Sequence, residues 1–173
     1  MSSTTIYTRA GDDGTSATLG GSRESKTGIV FDACGTLDEL SAFLGAARAA
    51  LPQGSREAAL LLSIQRDSVN LGAYLSSGDS AYLDRLALDD GTFETEIDRL
   101  LQSTRITGFV IPGNTAADAA LHVARTVCRR LERRFWALDP SRRGPRAATY
   151  LNRLSDLLFA LAVSQSGLRA NEP

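Results

Sequence analysis

The chain has 173 residues, 43% of them hydrophobic and 23% charged, and its 19 basic and 20 acidic residues leave a formal charge of -1. That length suits one soluble domain with a full apolar core, and the balanced charge lacks the basic excess of a general nucleic-acid binder. No apolar run approaches the roughly 18 residues of a membrane span, and the start Met1-Ser-Ser-Thr-Thr lacks the layout of a signal peptide. Cys34 and Cys128 give neither a metal spacing nor a disulfide framework, so a reducing cytoplasm is the expected location. The single histidine, His122, speaks against a multi-histidine metal site and leaves any nucleophile–histidine triad to that residue alone.

Residues 1–28 hold Gly11, Gly14, Gly20, Gly21 and Gly28 among many hydroxyls. They cannot make a core of their own and read either as a frayed tail or as a loop that orders around a ligand. From Thr36 onward Leu37, Leu40, Leu44 and Ala47 recur at helical steps, with Asp38 and Glu39 near the expected helix start, where carboxylates suit the dipole. Pro52 and Gly54 end that helix, and Ser55 caps the next, whose inward stripe is Leu61, Ile64, Leu71 and Leu75, to about Ser77. Residues 78–92 read as a polar loop with at most one helical turn, followed by a short helix near Phe93–Ser103. The run Gly108-Phe-Val-Ile-Pro-Gly reads as an extended segment closed by a turn. Thr115 to Leu138 is a strong helix with Thr115 or Asn114 as its cap and Asp118 in its first turn; Pro140 and Gly144 break it. Ala147 to Ser166 is the last helix, with Leu151, Leu154, Leu158 and Leu161 inward and Gly167 as its stop. The expected fold is all-α: one domain, with a bundle of about five helices over 29–167 and a polar, mobile arm over 1–28.

At roughly 100° per residue, Ala120, Ala124, Val127, Leu131 and Phe135 share a broad face of the strong helix. Asp118, His122, Arg125, Arg129 and Glu132 fall on a narrow stripe away from that core, with Arg130, Arg133 and Arg134 elsewhere around the rim. Arg125 and Arg129 point the same way and repel unless an anion or carboxylate lies between them. They read either as a solvated face with Glu132 as local partner or as a polyphosphate clamp. The head Thr8-Arg9-Ala10-Gly11-Asp12-Asp13-Gly14-Thr15-Ser16, followed by Arg23 and Lys26, offers backbone amides and cations to a second anion site, although the P-loop spacing is absent. Asp38 is free to pair with an arginine of another helix. Asn152 and Asp156 share one face of the last helix beside Arg153, and an interior Asn152 suggests a task. His122 reads first as a packing or surface residue, and the two cysteines as small apolar fillers.

These segments together resemble the PduO-type ATP:cob(I)alamin adenosyltransferases. The head, running into Leu19-Gly20-Gly21-Ser22-Arg23 and Lys26, is similar to that family's T-R-x-G-D-x-G-T-T…G-G-x-R…K block. Gly35-Thr36-Leu37-Asp38-Glu39-Leu40-Ser41 is similar to its G-T-x-D-E-L block, and Phe109-Val-Ile-Pro-Gly leads into Ala120-Leu-His-Val-Ala-Arg125-Thr-Val-Cys-Arg129-Arg130-Leu-Glu132-Arg133. Tyr150-Leu-Asn152-Arg153-Leu-Ser-Asp156 completes the likeness, which spans nearly the whole chain except roughly 77–95 and the tail. Departures are small: Ala10 replaces a usual hydroxyl, Ser16 a threonine, Cys34 a tyrosine and Asn114 a glycine.

The resemblance implies a five-helix bundle assembled as a homotrimer, with sites between neighbouring subunits. It implies that Thr8, Arg9, Gly11, Asp12, Gly14, Thr15, Ser16 and Lys26 bind ATP, that Arg129 contacts its triphosphate, and that Glu132 and Asn152 help fix the nucleotide. Arg125 is implied to pair with Asp38 across the interface, and Phe109 to crowd the lower face of the corrin. The implied reaction moves the 5′-deoxyadenosyl group of ATP to the cobalt of cob(I)alamin, with Mg²⁺ on the ATP phosphates. A cobalamin reductase and a cobalamin-dependent enzyme are its implied partners; neither nucleic acid nor a membrane is. Two other readings are a non-catalytic relative that carries or senses ATP or cobalamin, and a plain helical scaffold.

Overall fold

The computed structural model describes residues 7–102, 106 and 108–167. Five helices, α1 (Ile29–Ala49), α2 (Arg56–Ser77), α3 (Asp90–Leu101), α4 (Ala116–Trp136) and α5 (Pro145–Gln165), follow an antiparallel hairpin of β1 (Thr15–Ala17) and β2 (Arg23–Ser25). In the hairpin Thr15 faces Ser25, Ser16 faces Glu24 and Ala17 faces Arg23. Helix α4 packs between α1 and α5, with α2 against α1 and α3 against α5. Residues 1–6 of the arm and the expected helix end at Ser103 lie outside the described residues.

Three helices start on a side chain that satisfies an otherwise orphaned amide. Ser55 accepts from the Ala58 N–H, Asp89 from Thr92 and Thr115 from Asp118. The expected stripes are buried: Leu37, Leu40, Leu44 and Ala47 of α1, Leu61, Ile64, Leu71 and Leu75 of α2, and Leu151, Leu154, Leu158 and Leu161 of α5. Burial of such side chains stabilises by roughly 1.5–3 kcal/mol each. On α4, Ala124, Val127, Leu131 and Phe135 are buried, with Ala120 half-buried at the margin.

Helix α1 begins about two turns before the expected start at Thr36. Its N-cap is Gly28, which offers no side chain to an amide, so no capping residue marks the start in the sequence. Val30 and Ala33 extend the buried stripe backwards. Asp38 and Glu39 therefore sit mid-helix, and the carboxylate that meets the dipole is Asp32.

The expected polar loop at 78–92 is also more ordered than its composition implies. A 3-10 helix spans Ser80–Arg85, and Leu83 and Leu86 are buried. The reason lies in α2, where the buried Asp67 accepts the N–H groups of Ala87 (2.8 Å) and Leu88 (3.0 Å) and the Tyr150 hydroxyl (3.2 Å). A buried carboxylate satisfied by three donors anchors the passage into α3. Among the described residues no helix is long and apolar enough to cross a membrane.

Candidate functional site at the head loop and the α4 arginines

The hairpin is docked on the C-terminal end of α2. Thr18 is buried, the Leu19 N–H donates to Ser76 Oγ at 2.8 Å, and Arg142 lies 3.7 Å from Glu24. Ahead of β1 the chain curls tightly. Asp13 accepts from the backbone N–H and the hydroxyl of Thr15 at 2.9 and 2.8 Å, and those bonds hold its carboxyl below the usual value. The Arg23 guanidinium donates to the Ala10 carbonyl at 2.6 Å, and Lys26 Nζ donates to the Gly11 carbonyl at 2.6 Å. A Cβ at Gly11 would stand 2.9 Å from Lys26 Nζ and 3.1 Å from the Thr15 carbonyl oxygen, so a side chain there would push the lysine end aside and press on that carbonyl. Arg9 is held at φ 60, a left-handed conformation that side chains rarely adopt. Asp12 is exposed and its carboxylate has no partner among the described residues; Thr8 accepts the Ala10 N–H at 3.4 Å, and Ser16 is half-buried in β1.

Lys26 also lines a cleft of about 380 Å³ with Phe31, Asp32, Gly35, Thr36, Glu39, Arg130 and Arg134. Arg130 donates to Glu39, and Arg134 pairs with Asp32 at 2.6 Å and donates to Thr36. The sequence places both arginines on the rim of α4, Arg130 also within the block that carries the resemblance; their proximity to Lys26 arises from the packing of α4 on α1. The signal available was the order of residues on the wheel, which places 130 and 134 away from 125 and 129.

Arg125 and Arg129 occupy a different side of α4. Arg130 lies five residues beyond Arg125, and Arg134 five beyond Arg129, roughly 140° around the helix in each case. Arg129 is exposed, with no side-chain partner among the described residues. Arg125 is half-buried; its Nε lacks a hydrogen bond, and its guanidinium carbon lies 5.5 Å from the Phe159 ring centre. Among the described residues no carboxylate pairs with either: Glu132 instead accepts from Asn152 Nδ2 at 3.3 Å, and Asn152 Oδ1 accepts from Arg153 at 3.1 Å. Asp38 is exposed on α1 and makes no ion pair among the described residues. Phe109 is 97% exposed beside Ile111 at 76%.

The stripe reading is corrected at two positions. Asp118 and His122 are buried rather than turned away from the core, because the chain at 113–114 folds over the first turn of α4. Burial lowers the His122 pKa despite the neighbouring Asp118. Cys128 is buried against the Leu151 carbonyl at 3.5 Å and burial pushes its thiol far up, so it packs rather than reacts.

The site thus consists of a cationic, amide-rich loop at one place and an unpaired arginine pair, an unpaired aspartate and an exposed aromatic at others. Comparison with known proteins gives this arrangement a context. Residues 6–165 match the family described as cobalamin adenosyltransferase. A corrinoid adenosyltransferase of Citrobacter freundii is 44% identical, the match covering 91% of this chain and 92% of the relative. One of Mycobacterium leprae is 37% identical, covering 92% and 90%. The chain also superposes on a variant PduO-type ATP:corrinoid adenosyltransferase from Lactobacillus reuteri complexed with cobalamin and ATP, with a TM-score of 0.79 at 26% identity, covering 94% of this chain and 93% of that one.

Proposed function

The chain belongs to the cobalamin adenosyltransferase family, and on that premise we propose how its residues divide the work of the reaction. The protein is an ATP-dependent corrinoid adenosyltransferase, which transfers the 5′-deoxyadenosyl group of ATP to the cobalt of cob(I)alamin. The electron pair of Co(I) attacks the 5′ carbon, the C5′–O bond breaks, and its electrons leave with triphosphate. No protein nucleophile is needed. The protein's tasks are to align the two substrates and to relieve the charge building on the leaving group.

The head loop receives the phosphates. Lys26, whose Nζ rests on the Gly11 carbonyl, and Arg9 are its cations; Gly11, Gly14, Thr15 and Ser16 supply backbone amides and hydroxyls, with Thr8 and Asp12 at the rim. Arg129 takes the triphosphate in its planar fork, and the Glu132–Asn152 pair fixes the nucleotide. Mg²⁺ bound with the phosphates would neutralise part of their charge. The exposed Asp12 carboxylate is the head-loop group of the right chemistry to join them.

The observation that carries this division is the angular separation on α4. Lys26 shares its cleft with Arg130 and Arg134, whereas Arg125 and Arg129 lie elsewhere around the helix and lack carboxylate partners among the described residues. A second copy completes the set: Asp38 of one subunit meets Arg125 of the next, and the protein acts as a homotrimer with shared sites. Phe109, bare of neighbours, is the apolar wedge beneath the corrin; it displaces the lower ligand of cobalt and eases reduction to Co(I). The reaction then belongs in a reducing cytoplasm, between a reductase that delivers Co(I) and a cobalamin-dependent enzyme that uses the product. Free Cys34 and Cys128 suit that setting.

Anaerobic incubation with Mg-ATP and cob(I)alamin, followed by the corrin spectrum, tests the assignment. Formation of the cobalt–carbon bond by an assembled oligomer is the expected result. A monomer with full turnover would overturn the shared site.

A further inference from the structure

Asp118 and His122 form a buried pair that the division above leaves without a task. Asp118 is fully buried in the first turn of α4. Its Oδ2 accepts the backbone N–H groups of Gly113 at 3.2 Å and Asn114 at 2.9 Å. Its Oδ1 faces His122 Nε2 at 3.2 Å, and the imidazole is itself buried. Helix capping does not require this carboxylate, because Thr115 already serves as the cap and its hydroxyl ties the turn to the Gln165 carbonyl at 3.0 Å. A buried carboxylate is tolerated where its lone pairs are met; here Oδ2 is met by two amides of an exposed turn, while Oδ1 lies beside the imidazole without a hydrogen bond. That turn ends the segment that presents Phe109, and its Gly113 takes φ +114, a conformation closed to most side chains.

We propose that Asp118 is a positioning residue for the corrin end of the site: its carboxylate, buried against His122, fixes the 113–114 turn through two amides and so sets where Phe109 is presented. The proposal rests on the reading of Phe109 as the wedge. Charge-assisted bonds to two successive amides leave the turn far less freedom than neutral ones would. Phe109 and Ile111 on either side of the half-buried Val110 remain exposed and open to a substrate.

The test joins amide hydrogen exchange at Gly113 and Asn114 with paired rate assays, one starting from cob(II)alamin and a reductant and one from preformed cob(I)alamin. In Asp118→Ala, exchange at both amides rises about 10-fold or more, and the rate from cob(II)alamin falls by a similar factor. The cob(I)alamin rate and the KM for ATP stay within about twofold. Asp118→Asn recovers only part of both losses, because its amide oxygen still accepts from the same two N–H groups but without the charge. His122→Phe, which keeps a packed ring but no nitrogen, shows a smaller change in the same direction and serves if Asp118→Ala fails to fold. Equal losses in the two assays, unchanged exchange, or wild-type behaviour of both Asp118→Ala and His122→Phe overturn the inference. If instead exchange rises as expected but Phe109→Ala itself slows both assays equally, the wedge reading is what fails, and the functional half of the inference falls with it.

Discussion

Glu132 and Asn152, twenty residues apart, meet at 3.3 Å across the seam between α4 and α5, and Arg153 closes on the same asparagine at 3.1 Å. Glu132 is therefore engaged sideways and does not neutralise the arginine stripe one turn below it. Arg129 keeps its full charge for a ligand. Arg129→Ala is expected to cost the equivalent of a charge-assisted contact, roughly 1.5–3 kcal/mol, or one to two powers of ten in kcat/KM for ATP, whatever the state of cobalt. Arg129→Lys recovers only part, since an ammonium lacks the bidentate fork. Steady-state kinetics with varied ATP check both variants.

Gly11 is the tightest point of the head. In Gly11→Ala the new methyl group displaces Lys26 Nζ and presses on the Thr15 carbonyl. The KM for ATP is expected to rise about 10-fold while the melting temperature in the absence of nucleotide changes little, because the loop lies outside the core. A variant with unaltered ATP dependence would show that the Lys26–Gly11 contact has no part in phosphate binding.

Phe109→Ala separates the corrin end from the nucleotide end. ATP affinity stays near that of the wild type, while the rate from cob(II)alamin with a weak reductant falls; supplying preformed cob(I)alamin restores most of it. Equal losses in the two assays would make Phe109 ordinary packing.

Glu96 gives the fold an acid-sensitive brace. The Arg56 guanidinium beside it, aided by Arg99 at 2.9 Å, holds its carboxyl below the usual value despite burial. A depressed carboxyl contributes stability that is present above its unfolded pKa of 4.5 and is lost as pH falls through the lower folded value. Melting curves from pH 7 down to pH 3 are expected to show wild type above Glu96→Gln by roughly 2–4 °C at neutrality and converging with it in acid. Parallel curves would remove the brace.

The sequence makes some of this plain and hides the rest for identifiable reasons. Ser55, Thr115 and Gly167 are local signals, so the ends of α2, α4 and α5 are legible from a few residues each. The start of α1 is not, because Gly28 caps it without a side chain. Asp67 appears from the sequence as one more polar residue of α2; only tertiary packing brings the amides of Ala87 and Leu88 to it. The same holds at Asp118, which a helical wheel puts on the arginine side. A wheel knows direction but not what folds over it, and the 113–114 turn decides the burial. Arg130 and Arg134 were hidden for a similar reason: their partners Glu39, Asp32 and Thr36 sit on α1, some 90 to 100 residues earlier. Arg125, Arg129, Phe109 and the head loop stand out through the family resemblance rather than through spacing.

Among the described residues neither Asp38 nor Arg125 has an ion-pair partner, and on the proposed shared site Asp38→Asn is expected to weaken assembly on the order of 100-fold in concentration, since breaking one side of a buried pair strands a charge. Analytical ultracentrifugation across a dilution series reads this directly.

A site shared in the way proposed would make inactivity a property of neighbours rather than of chains. An Asp38→Asn subunit still carries a sound Arg125, and an Arg125→Ala subunit a sound Asp38. When two such inactive preparations are unfolded together and refolded as a mixture, some junctions join the two sound residues, and those junctions regain turnover. Conversely, on that proposal a defective chain co-expressed with a normal one would spoil contacts that the normal chain would otherwise complete, so its harm would exceed its share of the population.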